Sequence, residues 1–330
     1  MSALGEFDLI RRYFDQRPRA PQTLLGIGDD CALLEAPGPE VLAISTDMLV
    51  AGRHFFDDVD PRALGHKALA VNLSDLAAMG ARPQAFTLAL ALPEVNTDWL
   101  EGFSRGLLAL AEAEGCELIG GDTTRGPLCL SLTVIGTVPA LHALRRDAAQ
   151  CGDDLWVSGT LGAAAWAVQT RMNLGAWPSA EDEALALARR RLEWPAPRLA
   201  LGQALRGQAH AAIDLSDGLA GDLGHVLTAS AHRHACPLGA VIEASALPID
   251  PALARLPVSE QLHWALAGGD DYELLLTAPA SARAAITRIG EALTLPLARI
   301  GQIDAVPGLR LLAADGTQSP LAPYAFDHFR

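Results

Sequence analysis

The sequence predicts a two-domain protein, an N-terminal α+β unit of residues 1–145 followed by a C-terminal α/β unit of residues 146–330. Three observations lead there. The chain has 330 residues, more than one compact core ordinarily serves. Its apolar segments are strand-sized runs that alternate with helical patterns. A polar stretch, HALRRDAAQCGDD (142–154), separates two such sets.

In the first set, VLAIST (41–46), FTLALAL (86–92), CELIG (116–120) and LCLSLTVIGTV (128–138) read as strands, and 62–79 and 97–114 as helices. The second opens with strand LWVSG, continues through helices across 161–171, 180–193 and 198–206, and reaches strand AAIDL. Helix 218–232, strand YELLLTA, helix 280–293 and strand LARIGQI complete it. SPLAPYAFDHFR (319–330), with two prolines and three aromatics, is either a frayed tail or a segment folded back over a site.

Composition narrows the function. Half the residues are hydrophobic, but no run approaches the roughly 20 needed to cross a bilayer. The N-terminal MSALGEFDLIRRYFDQ does not read as a signal peptide, so the cytoplasm is the expected location. Five scattered cysteines form no C-x-x-C pair. A net charge of -14 disfavours nucleic acid and anionic membranes. Lys67 is the only lysine, has no preceding glycine and lies in a helical pattern, which excludes the phosphate loop and the protein-kinase lysine.

The informative feature is acidic. Asp29 and Asp30 (GIGDDCA), Asp47 after Ser45 and Thr46 (ISTDML), Asp75 (NLSDLAAMG), Asp122 (IGGDTT), Asp214 and Asp217 (DLSDGL), and Asp270 and Asp271 (AGGDDYEL) interrupt apolar sequence at expected strand ends or helix starts. Two carboxylates about 4 Å apart repel by about 4 kcal/mol at an effective dielectric near 20, so converging ones protonate or recruit cations. With one lysine available, the expected cations are metal ions. Hard oxygen donors without a Cys/His cluster select Mg²⁺ or Mn²⁺ over Zn²⁺, and magnesium's habit of binding substrate phosphates favours a nucleotide.

Taken singly, Asp29, Asp222 and Asp270 also fit helix caps or turns. In DLSDGL, Ser216 is expected to cap the following helix, with Asp217 in its first turn and Asp222 exposed further along. That helix start could offer N–H groups to phosphate while Asp214 and Asp217 hold its metal. GGDTT is expected at the end of strand CELIG, as a close-approach turn or a plain one. GGDD is set apart from the nucleotide-cyclase turn because Tyr272 and Glu273 follow it. His54 is either a structural histidine or a donor to substrate phosphate.

The stretches GEFDLI, GIGDDCA, STDMLVAGRHF, GHKALAVNLSDLAAMGARP, GGDTT, GDDLWVSGTLG, DLSDGL, GGDDYELL and FDHF, in this order from residue 5 to 329, resemble the thiamine-monophosphate kinase family, of the aminoimidazole ribonucleotide synthetase-like superfamily. The resemblance implies an N-terminal α+β domain whose sheet pairs across a homodimer, a C-terminal α/β domain alongside, and ATP in the cleft. It implies that Asp30, Ser45, Thr46, Asp47, Asp75, Asp122, Asp214 and Asp217 hold several Mg²⁺ ions, directly or through water. Arg105, Gly121, Asp122, Arg146 and Ser216 would contact ATP as co-substrate. His54, one or both of Asp270 and Asp271, and Phe326 would contact thiamine monophosphate. Phe326 would stack on a thiamine ring, and an acid such as Asp271 would suit its cation. The implied reaction moves the γ-phosphoryl group of ATP onto the acceptor phosphate in line, giving thiamine diphosphate. Alternatives are a sister ATP-dependent synthetase or dikinase, of which the selenophosphate branch would want a reactive cysteine in a context Cys31 lacks, and a non-catalytic nucleotide and metal sensor.

Overall fold

The computed structural model describes residues 23–25, 29–36, 38–178 and 182–323. Two sheets organise them. The first has six strands: β1 (Thr23–Leu25), β2 (Ala32–Glu35), β3 (Glu40–Val50), β4 (Arg82–Leu92), β5 (Glu117–Arg125) and β6 (Cys129–Pro139). Their spatial order is β1-β2-β3-β6-β4-β5, antiparallel except for the β4–β5 pair. Strict alternation in β6 buries Leu130, Leu132, Val134 and Val138 on one face. The same inward phase of β3 runs Val41, Ala43, Ser45, Asp47, Leu49, so two polar residues occupy positions where the pattern calls for apolar ones.

What they face is the helix α1 (Pro61–Ala78). Asp60 caps it by accepting from Arg62 N at 2.8 Å, and Pro61 supplies the preset φ of a first helical position. Buried on nearly every side, α1 packs on the first sheet, on α2 (Thr97–Ala113) and on α5 (Leu199–Leu205). Close approach to α2 depends on missing side chains. A Cβ on Gly65 would lie 2.0 Å from Phe103 O, and one on Gly106 would lie 1.9 Å from Arg62 O. Gly106→Ala must therefore push the two helices apart, and a loss of about 1–3 kcal/mol is expected as a lower urea midpoint at unchanged slope. An unchanged midpoint would contradict this packing.

The second sheet draws on β7 (Asp154–Ser158), β8 (Ala211–Asp214), β9 (Gly239–Glu243), β10 (Leu274–Ala278), β11 (Leu297–Asp304), β12 (Gly308–Leu312) and β13 (Gln318–Leu321). Its order is β13-β12-β9-β11-β7-β10-β8, with β12–β9 the parallel pair. The helices α3 (Ala163–Leu174), α4 (Glu183–Glu193), α6 (Leu219–His234), α7 (Val258–Ala267) and α8 (Arg283–Leu293) belong to this half. Strands β7, β8 and β10 are buried along their whole length, as continuous apolar runs predict. One apolar core joins the halves, because Ala212, Leu274 and Leu276 cluster with the residues under the first sheet. Consequently α1 also touches β8, which places the carboxyl end of β8 beside the middle of α1.

Several elements escaped the sequence reading: the short strands β1, β2, β9, β12 and β13, and the helix α7. GGDTT does not end a strand but lies inside β5, and Gln318–Leu321 pairs with β12 where the sequence suggested a frayed tail or a segment folded back over a site. No helix among the described residues is long and apolar enough to cross a membrane.

Candidate functional site

Three carboxylates meet where the two halves touch. Asp30 precedes β2, Asp75 lies on α1 and Asp214 ends β8, and one oxygen from each lies within 4.8 Å of the others. Local structure fixes each. Asn72, one turn before Asp75, donates to Ala68 O at 2.9 Å and accepts from Asp47 N at 3.0 Å, locking β3 to α1. Ser45 Oγ donates to Asp75 Oδ2 at 2.5 Å. Thus the polar inward phase of β3 meets the acidic turn of α1, and Asp47 lies in the field of Asp30 and Asp75.

This proximity has an electrostatic consequence. Burial, reinforced by Asp47, Asp214 and Asp30, pushes Asp75 well above the usual carboxylate range. Burial and then Asp30 do the same to Asp214. Asp47 is pushed up to about 6 by burial and Asp30, and Asp29 to about 7 by burial and Asp30. Such groups favour the neutral form unless a cation arrives.

Part of that cation is protein. Arg146, in a short turn between the sheets, places Nη2 2.6 Å from Asp30 Oδ1 and Nε 3.6 Å from Asp29 Oδ1. Burial alone would lower its pKa, but Asp30 and Asp29 overcome that and push it up. The expectation that metal ions alone balance the acids is therefore corrected, because an arginine reached through the fold stands among them. Asp30 Oδ2 remains buried with no hydrogen-bond partner among the described residues. Three clustered carboxylates with an unsatisfied buried oxygen form a hard donor set that fits a magnesium-type ion.

Beside the cluster opens a cavity of about 1220 Å³. Asp47, Asp75, Asp214, Ser216 and Asp217 line one part; His54, Phe56, Met172, Trp264, Tyr272 and Asp270 line the rest. His54 Nδ1 accepts from Val50 N at 3.0 Å, so its ring proton sits on Nε2.

The stretch 268–272 is shaped by the DLSDGL turn. Asp270 N donates to Ser216 O at 2.9 Å and Tyr272 N to Leu215 O at 2.8 Å. A Cβ on Gly269 would stand 2.5 Å from Ser216 O, so only glycine fits there. Asp270 and Tyr272 take φ of 66° and 48°, rare for residues with side chains and typical of functional sites. Their side chains part ways. Asp270 faces the cavity and accepts from Lys67 Nζ at 2.8 Å. Asp271 turns away and accepts from Gly162 N, at 3.0 and 3.1 Å, at the start of α3.

Other expected residues do not reach the carboxylate cluster, although Thr46 borders the cavity. Thr46 belongs to the outward phase of β3, and its hydroxyl bonds that of Thr133 at 2.8 Å on the open face of the sheet. Its side chain cannot reach the carboxylates, because alternation aims it away from α1. Asp122 shares that open face through the register Met48–Ser131–Ala89–Asp122, and three strand spacings, about 14 Å, separate β5 from β3. Gly121 and Asp122 are exposed on this edge strand. Arg105 projects from the solvent side of α2, paired with Glu101 and away from the inward Phe103, Gly106 and Leu107.

Ser216 does not cap α6. No side chain caps it; Asp222, inside the first turn, instead reaches back so that its Oδ2 accepts from Gly218 N at 3.2 Å and Asp217 N at 3.3 Å. Far from exposed, Asp222 is buried, and burial raises its pKa well above the usual range. Phe326 lies outside the described residues. Lys67, whose solitary occurrence was the available signal, is among the cavity residues that sequence reasoning passed over, with Glu193, Trp264 and Tyr272.

Residues 28–138 match the family model for AIR synthase related protein, N-terminal domain. The chain is 50% identical over 334 residues to the thiamine-monophosphate kinase of Salmonella typhimurium, covering 99% of each. It is similar to the crystal structure of thiamine-monophosphate kinase from Stenotrophomonas maltophilia, with 47% identity, TM-score 0.79 and coverage of 96% and 98%. The structure of AaThiL complexed with AMPPCP and TMP is similar at 28% identity and TM-score 0.83, with coverage of 99% and 97%.

Proposed function

Because the chain belongs to the thiamine-monophosphate kinase family, we propose that it transfers the γ-phosphoryl group of ATP to the phosphate of thiamine monophosphate, giving thiamine diphosphate and ADP. One observation carries the reading: a single cavity joins a carboxylate cluster to a wall of aromatic residues and a further acid, Asp270. The first suits metal-bound phosphates and the second a cationic heteroaromatic ring system. The solved relative named above holds an ATP analogue and TMP, which supports both substrates.

In this reading Asp30, Asp75 and Asp214, with Asp47 and Ser45 behind them, hold magnesium, and Asp217 adds a ligand at the cavity wall. Bound magnesium would supply charge neutralisation between the triphosphate of ATP and the acceptor phosphate. Arg146 gives the cluster a fixed positive charge and is read as a contact of the triphosphate, as is Ser216 on the cavity wall. His54 Nε2–H donates to the acceptor phosphate. That phosphate is already an anion, so no side chain need remove a proton from it. Asp270, which faces the cavity, meets the thiamine cation, and Asp271 positions α3.

Residues 1–145 are read as the nucleotide and dimerisation unit, and 146–330 as the unit adding metal and substrate residues. A twin subunit covers the open face of the first sheet, where β5 is exposed along its whole length and Met48 is 57% exposed. Since Asp122 cannot reach the cluster of its own chain, we assign it, with Gly121 and Thr46, to a nucleotide site completed in the dimer.

The decisive experiment measures ADP release from Mg²⁺-ATP with and without thiamine monophosphate. Release that depends on this acceptor supports the kinase; nucleotide binding without acceptor-dependent release would replace it with the sensor. A second expected result concerns pH. Asp47 and Asp29 rise from 3.8 to about 6 and about 7 on folding, so the metal-free protein loses stability as pH climbs through that window. Magnesium offsets charge that exists only above it. The rise in thermal midpoint caused by Mg²⁺ is expected to be larger at pH 8 than at pH 5, and equal rises would contradict the assignment.

A further inference from the structure

We propose that Lys67 is a positioning residue for the acceptor, its ammonium holding the Asp270 carboxylate in the orientation that meets the cationic end of thiamine monophosphate; the proposal rests on the acceptor assigned above. Lys67 is the single lysine among 25 lysine and arginine residues. Its side chain is only 5% exposed, yet it lines the cavity and ends 2.8 Å from Asp270 Oδ1. Asp270 keeps 32% of its side chain exposed, on the cavity side. The pair therefore joins α1 of one half to the 268–272 stretch of the other across the substrate space.

The backbone of Asp270 is bonded to Ser216, between Asp214 and Asp217, whereas Lys67 approaches from a point further back along α1. Lys67, Val71 and Asp75 recur at helical spacing and all line the cavity, so Lys67 and Asp75 are about 12 Å apart along α1. An acceptor whose phosphate lies near Asp75 has its rings toward the Lys67 end. There Asp270 supplies a carboxylate from a backbone held at φ 66° by Ser216, and Lys67 fixes the carboxylate itself. A guanidinium is a planar fork that favours two-point pairing, whereas an ammonium is a compact charge that can engage one oxygen and leave the other to the ligand. That difference accounts for a lysine here in a chain that otherwise uses arginine.

A purely structural staple would move stability alone. The test is therefore steady-state kinetics for both substrates, with urea midpoints, on Lys67→Met, Asp270→Asn and the double variant in the full chain. Lys67→Met is expected to raise KM for thiamine monophosphate about tenfold, with changes in kcat and in KM for ATP below about twofold. The double variant should match Asp270→Asn alone, since Lys67 acts through Asp270. An unchanged acceptor KM, an equal rise for ATP, or a double variant worse than Asp270→Asn would each overturn the proposal. Stranding a charge can itself unfold Lys67→Met. In that event Lys67→Arg, which keeps a cation beside Asp270, decides: a raised KM for thiamine monophosphate with KM for ATP held supports the one-oxygen pairing, and an unchanged acceptor KM overturns the proposal. Failure of the wild-type chain to release ADP in response to thiamine monophosphate would instead remove the acceptor assignment.

Discussion

Asp75→Asn is expected to lower turnover about a hundredfold or more at limiting Mg²⁺ while leaving the metal-free fold as stable as before or more so. The two halves of this result have one cause. Asp75 is the carboxylate on which burial and the charges of Asp47, Asp214 and Asp30 converge, all opposing its ionisation. An asparagine keeps the shape and can still accept from Ser45 Oγ, but it contributes no charge to the cluster. Repulsion falls, so the metal-free thermal midpoint holds or rises; the donor set loses an anion, so the gain in midpoint on adding Mg²⁺ shrinks. Kinetics across a magnesium titration and thermal melts with and without the ion check both. A variant fully active at limiting Mg²⁺ would sink the metal assignment.

Arg146→Met is expected to cost about 3–5 kcal/mol of stability near neutral pH, because it leaves Asp29 and Asp30 buried without their cation. Asp29 already titrates at about 7 with the arginine present. Without it, the folded-state value moves further up. A carboxyl whose folded pKa is raised costs stability progressively from its unfolded value of 3.8 up to its folded value, so the deficit should be larger at pH 8 than at pH 5. Urea denaturation at the two pH values measures this. If the nucleotide assignment holds, KM for ATP rises in the same variant more than KM for thiamine monophosphate. A stability loss independent of pH would show that Arg146 acts through packing instead.

Much of the site was legible because its chemistry is local in sequence. Each aspartate of STDM, NLSD and DLSDGL interrupts an apolar run, and Asp47, Asp75 and Asp214 do converge with Asp30. Local patterns misled where polar residues had long-range partners. Asp222 looked like an exposed helix residue, yet its carboxylate closes the turn five residues upstream. Thr46 and Asp122 carried suitable oxygens, but alternation and strand order put them on the other face of the sheet and at its far edge. Short edge strands such as β12 and β13 lack the apolar length that makes a strand readable.

The sequence by itself determined the elements around α1, the acidic motifs and the need for counter-charge, since these depend on periodicity and on the cost of burying like charges. Only the tertiary structure decided which cations answer that need and which acids share a space. Arg146 lies 116 residues from Asp30, and Lys67 lies 203 from Asp270. Such pairings are set by how α1 is packed between two sheets, and no pattern within a single segment records that packing.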